Sequence, residues 1–120
     1  MRFRLGSVDR DSLELTTVAL DENRAKEHSF RVVARGEIDV ATAPKLTAAL
    51  DELIGQGVRL VVLDAADVEF MDSSGLRVIV QSGTKLSESG GRLLIDGMSG
   101  AVQRVLEVTG LIEHYRATSE

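Results

Sequence analysis

The sequence predicts an α/β domain whose mixed β-sheet carries helices packed mainly on one face. Two strand-like runs open the chain, joined by a charged segment, which is typical of an antiparallel hairpin. Helical and strand-like segments then alternate, and a helical crossover joins strands that run parallel. Hydrophobic residues make up 43% of the chain and aromatic residues only 3%. The core is therefore expected to be aliphatic.

The opening hairpin is predicted from period-two alternation of apolar side chains. Its strands are expected at Leu13 to Leu20 and at Phe30 to Ala34. The charged run Asp21 to Glu27 suits the loop between them. Phe3 and Leu5 give a weaker indication of an additional strand.

The first helix is expected to follow Thr42, which has the residue type of an N-cap, with Pro44 in its first turn. Gly55 and Gly57 are expected to end it. Its apolar stripe has helical spacing: Leu46, Ala49, Leu50, Leu53 and Ile54.

Val58 to Leu63 is nearly all apolar, as a strand covered on both faces should be. We expect an acidic loop at Asp64 to Glu69 and a second helix from about Ser74 to Ser87. Ser89 to Gly91 would break that helix. Its inward residues are expected to be Leu76, Ile79, Val80 and Leu86.

Arg92 to Asp96 predicts another buried strand. Ser99 is then expected to cap a third helix, which Gly110 would close. An edge strand is expected at His114 to Thr118.

The length of 120 residues predicts a single domain, with its core at about 13–118. Nineteen acidic against fourteen basic residues give a net charge of −5, which disfavours direct nucleic-acid binding. Cysteine is absent, and no apolar run reaches the length of a membrane span or a signal peptide. We therefore expect a cytoplasmic protein without a membrane partner.

The most informative stretch is Asp72 to Leu76, which opens the second predicted helix. It places two hydroxyls, those of Ser73 and Ser74, beside the free N–H groups of a helix amino terminus, where a phosphate is well accommodated. Read alone, the stretch also suits a capped turn. The residues themselves do not separate one serine from the other.

The chain resembles the bacterial anti-sigma factor antagonists of the STAS domain family in three blocks. Phe70 to Leu76 resembles the family's signature, Gly36 to Asp39 with Thr42 to Leu46 its first block, and Val108 to Leu111 the close of its third helix. The resemblance covers roughly Leu13 to Thr118.

That resemblance implies that Ser73 is phosphorylated by an anti-sigma factor that is also a serine kinase, and that a phosphatase removes the phosphate. The unphosphorylated form would bind the anti-sigma factor and free a sigma factor. The residues expected to bind the partner are Asp39, Asp72, Ser74, Gly75 and Arg77. The alternative is a STAS scaffold or regulatory subunit of a transport complex or stress-sensing assembly.

Neither alternative is an enzyme, and the sequence offers little for catalysis. His28 and His114 are the only histidines, without metal-ligand spacing, and the G-x-S-x-G nucleophile elbow and the P-loop are absent. No metal or cofactor is therefore expected. Phe70 and Met71 fit either packing beneath the second helix or a partner contact.

Overall fold

The computed structural model describes residues 12–20 and 28–117. The strands in these ranges are β1 (Leu13–Ala19), β2 (Ser29–Ile38), β3 (Leu60–Met71) and β4 (Arg92–Met98). The helices are α1 (Ala43–Gly55), α2 (Ser73–Glu88), α3 (Gly100–Thr109) and α4 (Ile112–Tyr115). The predictions made for Phe3, Leu5 and Asp21 to Glu27 lie outside the described residues.

The four strands form one sheet in the order β1-β2-β3-β4. The β1–β2 pair is antiparallel, whereas β2–β3 and β3–β4 are parallel. α1 and α2 are the crossovers that the two parallel pairs require. The predicted mixed sheet is confirmed.

One face of the sheet is buried beneath the helices, as predicted. Residues such as Val32, Leu63 and Ile95 align across the three parallel strands and are almost fully buried. They share one apolar cluster with side chains from the first three helices: Leu46, Leu50, Ile79, Leu86, Val102 and Leu106. The same strands carry charged residues on the opposite face, where Arg31 lies between Asp64 and Asp96 at 3.3 and 3.2 Å. None of the helices in the described ranges has the length and apolar character needed to cross a bilayer.

The predicted acidic loop at Asp64 to Glu69 is wrong, because β3 continues without a break to Met71. The strand tolerates the acidic residues because β2 presents arginines to them. Asp64 pairs with Arg31, and Asp67 pairs with Arg35, each at 3.3 Å. Register shifts in the β2–β3 pair interrupt the period-two alternation of the sequence, so the pattern of a strand is lost there.

The predicted third helix is confirmed, but the predicted edge strand after it is wrong. Gly110 ends α3 in the left-handed conformation, with φ of 78°. The chain then forms the short helix α4, whose helical spacing directs Leu111, Ile112 and Tyr115 to the core. Strand pairing is limited to one bridge between Arg116 and Ile95. Thr118 lies outside the described residues.

Tyr115 packs against α2 at Gly83, where an added Cβ would lie 3.1 Å from the tyrosine hydroxyl oxygen. The tyrosine is 5% exposed. Burial disfavours the ionised phenolate and raises the pKa of Tyr115 above its usual value near 10.

Candidate functional site

The candidate site lies where the carboxyl ends of β2 and β3 meet. Ile38 and Met71 are paired at the ends of these strands, and the Asp72 N–H donates to the Ile38 carbonyl at 3.3 Å. Asp39 and Asp72 therefore leave neighbouring strands side by side. The two carboxylates lie on one rim of the sheet.

Asp39 organises the turn between β2 and α1. Its Oδ1 accepts hydrogen bonds from the backbone N–H groups of Ala41 and Thr42, both at 3.0 Å. Thr42 holds the N-cap position of α1, as predicted, but its side chain makes no capping bond. Its hydroxyl instead donates to the Glu37 carbonyl at 2.8 Å and accepts from the Asp39 N–H at 3.0 Å. Hydrogen bonds in both directions between Asp39 and Thr42 therefore hold the turn in place.

Asp72 is the N-cap of α2. Its backbone is extended, and its Oδ1 accepts from the Ser74 N–H at 2.8 Å. The Asp72 carbonyl accepts from the Gly75 N–H at 3.1 Å. The aspartate carboxylate therefore occupies part of the space at the helix amino terminus where the sequence suggested a phosphate would bind.

The two serines differ in their surroundings. Ser73 is the first residue of α2 and is exposed, and its hydroxyl makes no hydrogen bond with the described part of the chain. Ser74 is half-buried, and its N–H is the group capped by Asp72. Of the two hydroxyls, that of Ser73 is the more accessible.

Gly75 lies buried beneath the two serines. A Cβ at this position would lie 2.6 Å from Met71 Cγ and 2.8 Å from Ile38 Cγ2. Only glycine lets the first turn of α2 approach the ends of β2 and β3 this closely. The positions of Asp72, Ser73 and Ser74 relative to Asp39 depend on that approach.

The sequence allowed Phe70 and Met71 either to pack beneath the second helix or to be exposed for a partner, and the two residues differ in this respect. Met71 is 5% exposed and packs in the core, whereas Phe70 is 47% exposed. They alternate because they belong to a strand, whose successive side chains point to opposite faces.

An open groove of about 630 Å³ runs between α1 and α2 from the amino terminus of α2. Ser73, Ser74 and Arg77 line it, and Asp39, Asp72 and Gly75 do not. The opposite side is formed by the turn before α1 and by α1 itself. Most of its residues are small or apolar, and one is the acidic Asp51, which pairs with Lys85: Val40, Ala43, Pro44, Thr47, Ala48 and Asp51.

Sequence reasoning missed Val40, which lines this groove and is 77% exposed. The signal was an apolar residue between Asp39 and Ala41 in a turn that has no core position to fill. Arg77 is exposed on the same groove, and its guanidinium makes no ion pair or hydrogen bond with the described residues.

Among residues 12–20 and 28–117, no group of three or more histidine, aspartate or glutamate side chains is arranged to hold a metal ion. Neither histidine lines the groove beside Ser73. His114 instead has its ring 4.6 Å from that of Tyr115.

The model of the STAS domain family matches residues 23–119, and the chain belongs to that family. It is 32% identical to the anti-sigma-B factor antagonist of Staphylococcus aureus (strain NCTC 8325 / PS 47) over 90 residues, which is 75% of this chain and 83% of the relative. It is 36% identical to the anti-sigma-B factor antagonist of Bacillus subtilis (strain 168) over 88 residues, or 73% of this chain and 80% of the relative.

Solved structures share the fold. The anti-sigma factor antagonist SpoIIAA in its unphosphorylated form superposes with a TM-score of 0.70 at 20% identity, covering 90% of this chain and 88% of the other. The Bacillus cell fate determinant SpoIIAA in the phosphorylated form gives a TM-score of 0.66, also at 20% identity, covering 90% and 91%. These likenesses confirm the α/β fold with its mixed sheet.

Proposed function

We propose that this protein is an anti-sigma factor antagonist that is switched by phosphorylation of Ser73. In the unphosphorylated form it binds an anti-sigma factor that is also a serine kinase, and so frees a sigma factor. The kinase phosphorylates Ser73, which abolishes binding, and a phosphatase restores it. The protein acts as a binding module in the cytoplasm, without enzymatic activity and without direct contact to nucleic acid or membrane.

The observation that carries this proposal is the exposed Ser73 hydroxyl at the first position of α2, which makes no hydrogen bond within residues 12–20 and 28–117. A serine that a kinase modifies must be reachable, and its hydroxyl should not be needed for folding. Both conditions hold because Asp72 caps the helix instead. A scaffold subunit would have no use for such a hydroxyl, so the site favours the switch.

The electrostatics of the rim make a single phosphate sufficient. Phosphorylation adds roughly −1.5 to −2 charges beside the carboxylates of Asp72 and Asp39. A charge on the phosphate and a like charge on the partner, about 4 Å apart, would repel by roughly 1 kcal/mol in water and about 4 kcal/mol at an effective dielectric of about 20. A hundredfold loss of affinity requires about 2.7 kcal/mol. No change of fold is needed.

In this proposal Asp39, Asp72, Ser74 and Arg77 contact the partner around Ser73. Gly75 takes part from below, since it holds the serines over the ends of β2 and β3. Exposed apolar residues flank the rim on both sides, Val40 before α1 and Phe70 at the end of β3. Burial of these side chains would supply apolar contact area to the complex.

Binding of two Ser73 variants to the cognate anti-sigma factor tests the proposal by calorimetry. Ser73→Ala is expected to bind as tightly as the original chain and to accept no phosphate in the presence of ATP. Ser73→Asp is expected to bind at least about tenfold more weakly, because its single added charge weakens the complex by about 1.4 kcal/mol or more.

Ser87→Asp provides the matched control, because Ser87 is an exposed serine near the opposite end of the same helix. It adds the same charge far from the rim and should leave the affinity unchanged. Equal binding of the Ser73→Asp and Ser87→Asp proteins would overturn the proposed switch. Recovery of transporter subunits and no kinase by the immobilised protein would favour the scaffold instead.

A further inference from the structure

A phosphate on Ser73 would meet a helix terminus that is already occupied by an anion. The Asp72 carboxylate accepts the Ser74 N–H at 2.8 Å, and the Asp72 carbonyl accepts the Gly75 N–H. The stabilisation that a helix amino terminus offers to an anion is therefore largely used. A positive side chain close to the phosphate would therefore stabilise the modified chain more than the helix terminus does.

Arg77 is such a group, one helical turn after Ser73. Residues four apart on a helix have their Cβ atoms about 5–6 Å from each other, and long side chains lean toward the helix amino terminus. An acidic residue four positions before a basic one is also the more favourable order of the pair. Both residues are exposed and line the same open groove.

Arg77 is available for this contact. It is exposed, and its guanidinium makes no ion pair or hydrogen bond with the described residues. Other basic side chains near α1 and α2 are engaged: Lys85 binds Asp51 at 3.0 Å, and Lys45 donates to the Leu13 carbonyl at 2.5 Å.

We propose that Arg77 receives the phosphate of Ser73 within the same helix, so that phosphorylation removes a positive charge from the groove as it adds a negative one. This inference rests on the proposed function and specifies how the switch works. Before modification the guanidinium is free to meet an acidic group of the partner. After modification it donates to the phosphate oxygens, and the groove loses its exposed cation. One covalent event thus changes the charge of the surface twice.

The test uses the full chain with phosphoserine incorporated at position 73 during synthesis, so it does not depend on any kinase. A phosphorus NMR titration measures the pH at which the phosphate takes up its second proton, normally near 6. Arg77→Gln should raise this midpoint by about 0.2–0.4 pH unit, because a helical ion pair favours the doubly charged phosphate. Arg77→Lys should retain most of the original midpoint.

Arg104→Gln is the matched control, since Arg104 is an exposed arginine on α3 and its loss changes the net charge equally. Its midpoint should equal that of the original chain. A midpoint unchanged by Arg77→Gln, or shifted equally by Arg104→Gln, would overturn the inference. Failure of the kinase to modify Ser73 would count against the proposed function alone, because this titration is made on phosphate already in place.

Discussion

The amino termini of α2 and α3 have similar sequences but use their serines differently. Each helix follows a parallel strand and has a serine at its start. In α3 the Ser99 side chain is the N-cap and accepts from the Val102 N–H at 3.2 Å. In α2 the Asp72 carboxylate caps the helix, and Ser73 follows one position later with a hydroxyl that bonds to no other group in the part of the chain that the structure describes. The residue that takes the capping bond thus decides whether the serine is structural or free for modification.

The glycines of the two first turns differ in the same sense. Gly75 lies against Met71 and Ile38, with no room for a Cβ. At Gly100 an added Cβ would have no neighbour within 4 Å. α2 is therefore seated tightly on the strand ends that carry Asp39 and Asp72, whereas the first turn of α3 leaves open space beside Gly100.

The largest expected effect is the difference in the free energy of unfolding between substitutions at Gly75 and at Gly100. Gly75→Ala should lower the free energy of unfolding by about 1–3 kcal/mol, because the added methyl overpacks the contact with buried Met71 and Ile38. Gly100→Ala should leave it unchanged or raise it by about 0.4–1 kcal/mol, since alanine restricts the unfolded chain. Urea denaturation of both variants measures the difference. Equal stabilities would show that α2 is not seated as described.

The capping residues should give a smaller effect. Asp72→Ala and Ser99→Ala each remove the side-chain acceptor of a helix amino terminus, so each should cost about 1 kcal/mol in the free energy of unfolding. Ser73→Ala removes an exposed hydroxyl that makes no hydrogen bond among the described residues, and its effect on the free energy of unfolding should stay within about 0.5 kcal/mol. The three variants are compared by urea denaturation under one set of conditions. A loss at Ser73 equal to that at Ser99 would contradict the division of roles between the two helix starts.

The smallest expected effect concerns the carboxyl-terminal half of α2, where Tyr115 packs at Gly83. Burial raises the pKa of the Tyr115 hydroxyl, so the folded protein keeps this proton after the unfolded chain has lost it. The stability contribution is complete below about pH 10 and falls as the pH rises through the folded-state pKa. Tyr115→Phe should remove this part of the alkaline loss. The melting temperatures of the original chain and the Tyr115→Phe variant are compared from pH 8 to pH 11. If both fall equally with rising pH, the Tyr115 hydroxyl does not contribute to the alkaline loss of stability.

Much of the fold could be predicted from sequence because its signals are local. The αL glycine at Gly110, the cap at Ser99 and the apolar run before Asp64 each fix an element without knowledge of its neighbours. The extension of β3 to Met71 could not be predicted, because the arginines that pair with Asp64 and Asp67 come from another strand.

The same distinction applies to the buried face of α2. The sequence suggested Leu76, Ile79, Val80 and Leu86 as inward residues. Ile79 and Leu86 are buried and Leu76 packs half-buried against the core, but Val80 is only half-buried, and the other buried side chains are those of Val78 and Ser82. Gly75, which packs closely against Met71 and Ile38, lies one turn before Val78 and two turns before Ser82 on the same face of the helix. The spacing of the apolar residues alone does not show that a glycine and a serine belong to the buried face.

The position of the candidate site could be predicted from sequence, but the role of each of its residues could not. The run Asp72 to Gly75 identified the place, and the pairing of parallel strand ends then brought Asp39 to the same rim. The capping role of Asp72, the burial of Gly75 and the exposure of Val40 follow from three-dimensional contacts. The same contacts leave Ser73 exposed and Ser74 half-buried, so the Ser73 hydroxyl is the more accessible of the two.

Mapping the phosphate tests the central claim most directly. The protein is incubated with ATP and candidate kinase-type anti-sigma factors, and the measurement of its intact mass is followed by fragmentation across Ser73, Ser74 and Ser99. We predict a single phosphate on Ser73, with Ser74 and Ser99 unmodified, because Asp72 caps α2 and leaves the Ser73 hydroxyl exposed. A phosphate on Ser74 alone, or on Ser99, would contradict the account.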